Sequence, residues 1–197
     1  AASLSLKAPP RGEAVRLASR SPSAVALPQA AAQVQRGAGG PYGHWIDTAA
    51  QRFTVPAPLI EAVIARESGG NPKARAGSTS AKGLMQTIDA TFALAQRRLA
   101  ARGIRIHDPL VPRDSILAGT WYLSHCFDLA AARSETALRR DRLGDWRKAL
   151  EYYYAGPGLG RSSAPIVYVA RRGKTVRIDK ARYADAILTA AARGRRS

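Results

Sequence analysis

The segment Ala65-Arg66-Glu67-Ser68-Gly69-Gly70 constrains this chain more than any other stretch of it. Upstream, Leu59, Ile60, Val63 and Ile64 recur at i, i+1, i+4 and i+5, the spacing of one helix face, which predicts a helix from Pro58. Glu67 follows Val63 by four residues and Ile64 by three, on that same apolar face, whereas Glu61 is expected on the solvated side. A carboxylate turned toward apolar neighbours loses hydration, so its charged form is disfavoured and its pKa rises. A general acid that must hold a proton near neutral pH needs that shift. Gly69 and Gly70 are expected to stop the helix by taking the left-handed cap conformation. The carboxylate is then left at a helix end within reach of a ligand. A lone Glu in such a place is otherwise a surface residue or a partner for Arg66 or Arg75, so its companions have to decide.

The companions come in order. Glu67-Ser68-Gly69, Asn71-Pro72, Gly83-Leu84-Met85-Gln86 and Thr91 are followed by Ile116-Leu117-Ala118-Gly119 with Tyr122-Leu123. Ala149-Leu150-Glu151-Tyr152-Tyr153-Tyr154-Ala155-Gly156-Pro157-Gly158 and Tyr168-Val169 come next. From about residue 44 to about 172 this series resembles the soluble lytic transglycosylase (SLT) domain of the lysozyme-like superfamily. The resemblance implies a mainly α-helical, lysozyme-like domain with a substrate groove. It implies Glu67 as catalytic residue and Ser68, Met85, Gln86, Tyr153 and Tyr168 as substrate-binding residues, with no metal and no cofactor. Read without the resemblance, Ser68 is equally a local cap and Met85 a core gap-filler. One departure stands out. Aligning on Ala155-Gly156 puts Tyr153 on the family's tyrosine, but Tyr154 takes the place of its asparagine. A phenol cannot reproduce the paired donor and acceptor of an amide. At least one member of the tyrosine run is expected in the core.

The implied reaction cleaves the MurNAc-β-1,4-GlcNAc bond of peptidoglycan without water. One glutamate serves first as acid and then as base, and the product carries a 1,6-anhydroMurNAc end. Ordinary glycosidases use two carboxylates. From Ser68 to Ile88 this chain has no Asp or Glu. Asp89 is the first candidate, and it equally suits the N-cap of the helix that follows. The loop's hydroxyls and amides can bind sugar but cannot act as a carboxylate nucleophile. The alternatives are a hydrolysing muramidase on the same fold and a non-catalytic protein that binds the cell wall or a secretion apparatus.

Composition bounds the remainder. The 197 residues allow one ordinary domain with a tail, and 39 of them are alanine, which favours helix but buries little area. The core must therefore draw on Leu, Ile, Val and aromatics such as Trp45, Phe92, Trp121 and Trp146. Of the net charge of +17, residues 1–41 carry +4, 42–170 carry +6 and 171–197 carry +7. Such a field attracts polyanions. Peptidoglycan with its carboxylates and nucleic acid both answer, but no nucleic-acid-binding motif is present and none is expected as partner. The single cysteine, Cys126, excludes an intrachain disulfide. His44, His107 and His125 lack metal-ligand spacing, and no apolar run is long enough to span a membrane. The opening Ala-Ala-Ser fits a mature exported protein after removal of a signal peptide, or simply a trimmed chain; it is the resemblance that implies a periplasmic or exported location.

Residues 1–41, rich in Pro and Ala and ending in Gly-Ala-Gly-Gly and Pro41, read as a flexible linker or arm ahead of a domain over 42–197. Helices are expected over His44–Phe53, about Asp89–Arg102 and from Pro112 past Tyr122. Asp145 is expected to cap the helix carrying the tyrosines, with 156–160 a loop at the groove rim. A final helix after Asp179 would place Tyr183, Ile187, Leu188 and Ala191 on one side. That helix and the basic stretch before it either complete the core or dock on a secretion or pilus apparatus.

Overall fold

The computed structural model describes residues 40–171 and 173–194. A short 3-10 turn, Gly40–Tyr42, leads into α1 (Gly43–Phe53), which buries Ile46, Ala49 and Phe53. Pro58, in the first turn of α2 (Ala57–Ser68), has its φ preset for helix and gives up no needed donor. This helix buries Leu59, Ile60, Ala62, Val63 and Ile64, the face its sequence marked. Then come α3 (Asp89–Ala100), α4 (Pro112–Ala131) and α5 (Arg147–Gly160). The antiparallel strands β1 (Ile166–Arg171) and β2 (Lys174–Asp179) precede α6 (Lys180–Gly194). The fold is mainly helical, with this hairpin as the named sheet among the described residues.

The longest helix, α4, lies at the centre, packed by α1, α3 and α5, while α6 lies against both α2 and α5. Its interior residues Ile116, Ala118 and Leu123 are wholly buried, each worth about 1.5–3 kcal/mol for the larger side chains. Two glycines permit close approaches that locate the loop after α2. A Cβ at Gly119 would stand 2.5 Å from the Cβ of Met85, and one at Gly83 only 1.8 Å from the Pro109 carbonyl oxygen. The Ile-Leu-Ala-Gly motif therefore has a packing reason: its glycine lets the Gly-Leu-Met-Gln loop settle on α4.

A buried ion cluster ties α6 to α5. Lys180 is fully buried; its Nζ donates to Glu151 Oε2 at 3.3 Å, to the Gly160 carbonyl at 3.4 Å and to the Ser162 carbonyl. Lys148 donates to the same carboxylate oxygen at 2.8 Å. Tyr183, Ala184, Ile187 and Ala191 of α6 are buried, with Leu188 only partly covered, so this helix belongs to the core. Asp179 caps it, accepting from the Arg182 N–H at 3.0 Å.

Several expectations need correcting. Asp145 does not cap α5; it sits in a 3-10 turn (Leu143–Trp146) and accepts the Arg139 N–H at 2.7 Å. Asp89 is the first residue of α3 rather than its cap, Ile88 holding that position, and its carboxylate pairs with Lys82 Nζ at 2.8 Å. Residues 156–160 are not a plain loop: the helix kinks at Gly156 (φ 79°, ψ 156°) and resumes to Gly160. Glu61 is half-buried rather than solvated, and burial with nearby Asp47 raises its pKa. The arm expected over 1–41 lies outside the described residues except for 40–41, which fall in the opening turn.

Candidate active site

Glu67 is the penultimate residue of α2, and the helix ends immediately beyond it at Gly69 (φ 60°), whose N–H caps the Ala65 carbonyl at 3.1 Å. Its carboxylate is partly buried. Burial raises its pKa, against the lowering pull of a hydrogen bond from Tyr183 and the charge of Arg66, and the desolvation wins. The Tyr183 hydroxyl, 116 residues away on α6, donates to Glu67 Oε1. Burial first, and then the charge of Glu67, push the Tyr183 phenol well above its ordinary range, so it stays protonated and remains a donor. On the other side of that ring lies Tyr154, stacked with centroids 4.3 Å apart and planes 10° from parallel.

The loop from Gly69 to Ile88 is folded against the end of α2 by its own polar groups. Ser68 Oγ donates toward the Leu84 carbonyl at 2.9 Å and the Ile64 carbonyl at 3.1 Å, and accepts the Gly70 N–H at 3.2 Å. Tyr42 donates to the Gly70 carbonyl at 3.3 Å. Gln86 has a left-handed backbone (φ 47°), and its Nε2 donates to the carbonyls of Gly83 and Ala74 at 2.9 and 3.2 Å. The side chain of Met85 is fully buried, with Thr120 Oγ1 donating to its sulfur at 3.6 Å. Its carbonyl accepts the Tyr153 hydroxyl at 2.6 Å. Tyr153 also packs against Tyr122, ring centroids 5.6 Å apart. These four residues are thus bonded into the scaffold beneath and beside Glu67.

The family model described as the transglycosylase SLT domain matches residues 44–165. The chain belongs to this family. A solved structure of an inactive mutant of lytic transglycosylase Slt from Pseudomonas aeruginosa, carrying a glutamate-to-glutamine change, superposes with a TM-score of 0.57 at 20% identity. The alignment covers 78% of this chain and 24% of that one, so this chain corresponds to about a quarter of its length and the likeness concerns the fold.

Within this SLT domain the predicted site residues divide. Glu67, Ser68, Gln86 and the Met85–Tyr153 contact come together around the end of α2. Tyr168 does not join them by any hydrogen bond or ring contact among the described residues. It stands on β1 across from Arg177, 66% exposed. The tyrosine that does touch Glu67 is Tyr183, expected from the sequence only on one side of the last helix with Ile187, Leu188 and Ala191, and it lies beyond the matched segment. A signal was available: a tyrosine at a core-facing position needs a partner for its hydroxyl. Cys126 is buried, and burial pushes its thiol up to about 12, which makes it inert.

Proposed function

We propose that the chain is a peptidoglycan lytic transglycosylase in which Glu67 alone supplies both proton transfers. The observation that carries the reading is the environment of Glu67. Burial shifts it toward the protonated form, and the groups that oppose that shift are Tyr183 and Arg66, neither of them a carboxylate. Asp89, the nearest acidic residue downstream, is engaged with Lys82 and mostly exposed. A glycosidase with two carboxylates has a ready partner for the acid; the lack of a carboxylate among the groups that shift Glu67 supports a nucleophile supplied by the substrate itself.

The steps balance on that basis. Protonated Glu67 gives its proton to the glycosidic oxygen between MurNAc and GlcNAc, and the C1–O bond breaks with departure of the GlcNAc hydroxyl. Positive charge builds at C1 of the muramyl ring, beside a carboxylate that is now ionised. The 6-hydroxyl of the same ring attacks C1, and Glu67 takes its proton, which closes the 1,6-anhydro bridge and restores the acid. No water enters. The Tyr183 hydrogen bond stabilises the carboxylate during the interval when it is charged and holds its orientation. The inactivity of the glutamine mutant of the Pseudomonas protein supports an essential glutamate in that enzyme. Peptidoglycan strands are then the partner, and the place of work is outside the cytoplasm.

The test is digestion of purified sacculi followed by mass spectrometry. Anhydro ends, one water lighter than reducing ends, are expected from the unmodified protein and are absent with Glu67→Gln. Reducing ends would assign a muramidase. Binding to sacculi with no soluble fragments would assign a wall-binding protein.

A further inference from the structure

We propose that the outer face of Tyr154 is a stacking platform for a sugar ring of the glycan, set beside the acid by the Tyr154–Tyr183 pair. This rests on the transglycosylase reading and adds to it a subsite read by shape rather than by hydrogen bonds.

Three consecutive tyrosines on α5 have three different surroundings. Tyr152 is in the core at 3% exposure, and the Tyr153 hydroxyl is bound to the Met85 carbonyl. Tyr154 is 46% exposed and has no hydrogen bond among the described residues, so packing and polar bonding account for one face of its ring only. That inner face lies on Tyr183; the outer face is open. The chain kinks two residues later at Gly156, where α5 departs from helical geometry.

The open face is also free of the commonest occupant in so basic a chain. Trp45, Phe127, Trp146 and Tyr152 each carry an Arg or Lys over the ring, whereas Tyr154 carries none among the described residues. An electron-rich face left uncovered attracts the weakly positive C–H groups of a pyranose ring. The plane of Tyr154 is fixed by its stack on Tyr183, and Tyr183 is fixed by its bond to Glu67. A sugar lying on Tyr154 therefore has a set height relative to the carboxylate. An amide at this position would select particular hydroxyl or acetamido groups; a ring selects flatness and tolerates changes in those substituents.

The test uses the full chain with Glu67→Gln, titrated calorimetrically with a soluble N-acetylglucosamine hexasaccharide. Adding Tyr154→Ala is expected to weaken binding by about tenfold, the scale of losing one ring–ring contact. Tyr154→Phe and Tyr154→Trp should bind as tightly as the parent. In the active protein on sacculi, Tyr154→Ala should raise KM about as much as it weakens binding with kcat little changed, and Tyr154→Phe should rescue most of that rise. Undiminished binding with Tyr154→Ala overturns the platform, as does loss of binding with Tyr154→Phe, which would mean that the hydroxyl carries the contact. Should Tyr154→Ala unfold, weaker binding by the tryptophan variant overturns it instead. If Glu67→Gln with Tyr154 intact binds no hexasaccharide and the unmodified protein releases nothing from sacculi, the transglycosylase reading fails and takes the platform with it.

Discussion

Replacing Tyr183 by Phe removes one oxygen and keeps the ring, including its stack on Tyr154. What is lost is a hydrogen bond to a carboxylate, and bonds to charged groups are worth about 1.5–3 kcal/mol. Tyr183 is only 4% exposed, so water cannot readily take the place of the missing hydroxyl, and the loss should fall toward the upper part of that range. Most of it falls on the ionised form of Glu67, which accepts the bond more strongly than the neutral carboxyl does. The donor currently lowers the Glu67 pKa against burial, so its removal must raise that pKa further. In a profile of kcat/KM against pH, the alkaline limb, where Glu67 loses the proton it must donate, should move to higher pH. Activity at the optimum should fall by about tenfold, because the carboxylate that becomes ionised as the glycosidic bond breaks loses the donor that stabilises its charge and holds its orientation. The assay is release of anhydro-muropeptides from sacculi across pH, with thermal unfolding as a control for the fold. An alkaline limb that stays in place, or moves toward acid, would show that Tyr183 does not govern the charge on Glu67, and the reasoning would be refuted.

Two further outcomes follow from the same structure. Because the folded-state pKa of Glu67 lies above its ordinary value of 4.5, the native chain holds that proton more tightly than the unfolded one, and stability is lost as pH rises through the folded pKa. Glu67→Gln should therefore match the parent in urea unfolding below the unfolded pKa and exceed it near neutrality; an advantage independent of pH would contradict a desolvated acid. In the α5–α6 ion cluster the two partners should not be equivalent. Lys180→Met leaves Glu151 paired with Lys148 and should cost about 1–3 kcal/mol for the orphaned Gly160 carbonyl. Glu151→Leu leaves a wholly buried ammonium without its carboxylate and should cost about 3–5 kcal/mol. Chemical denaturation gives both values, and the opposite ranking would sink this account.

The helices were legible because their signals are local. The apolar spacing before Glu67, the glycine after it and the prolines ahead of α2 and α4 each act within a turn or two, and all of them point to the same boundaries. The hairpin was harder to see. Ile166-Val167-Tyr168-Val169 is a run of β-branched and aromatic residues with Gly173 as its turn, yet it pairs with a strand whose charged residues disguise it. Asp145 is not the cap because a 3-10 turn runs through it to Trp146, which holds the N-cap position, and its carboxylate accepts the Arg139 N–H instead. At the candidate site, periodicity placed Glu67 on the apolar face of α2, but singling it out needed the motif resemblance, as did Ser68 and Gln86. Tyr183 could not be found in this way, since its contact with Glu67 spans 116 residues and depends on how α6 crosses α2. Tertiary packing, rather than any pattern in the chain, makes that pair.

The distance along the chain between those two partners has a consequence for synthesis. On a ribosome, Glu67 is delivered 116 residues before Tyr183, and α6, which carries Tyr183, also carries the Lys180 that pairs with Glu151. Until α6 is in place the carboxylate lacks both its donor and the wall that keeps water from it. A nascent chain that has not yet reached α6 therefore leaves Glu67 in wetter, less constrained surroundings than the folded domain gives it.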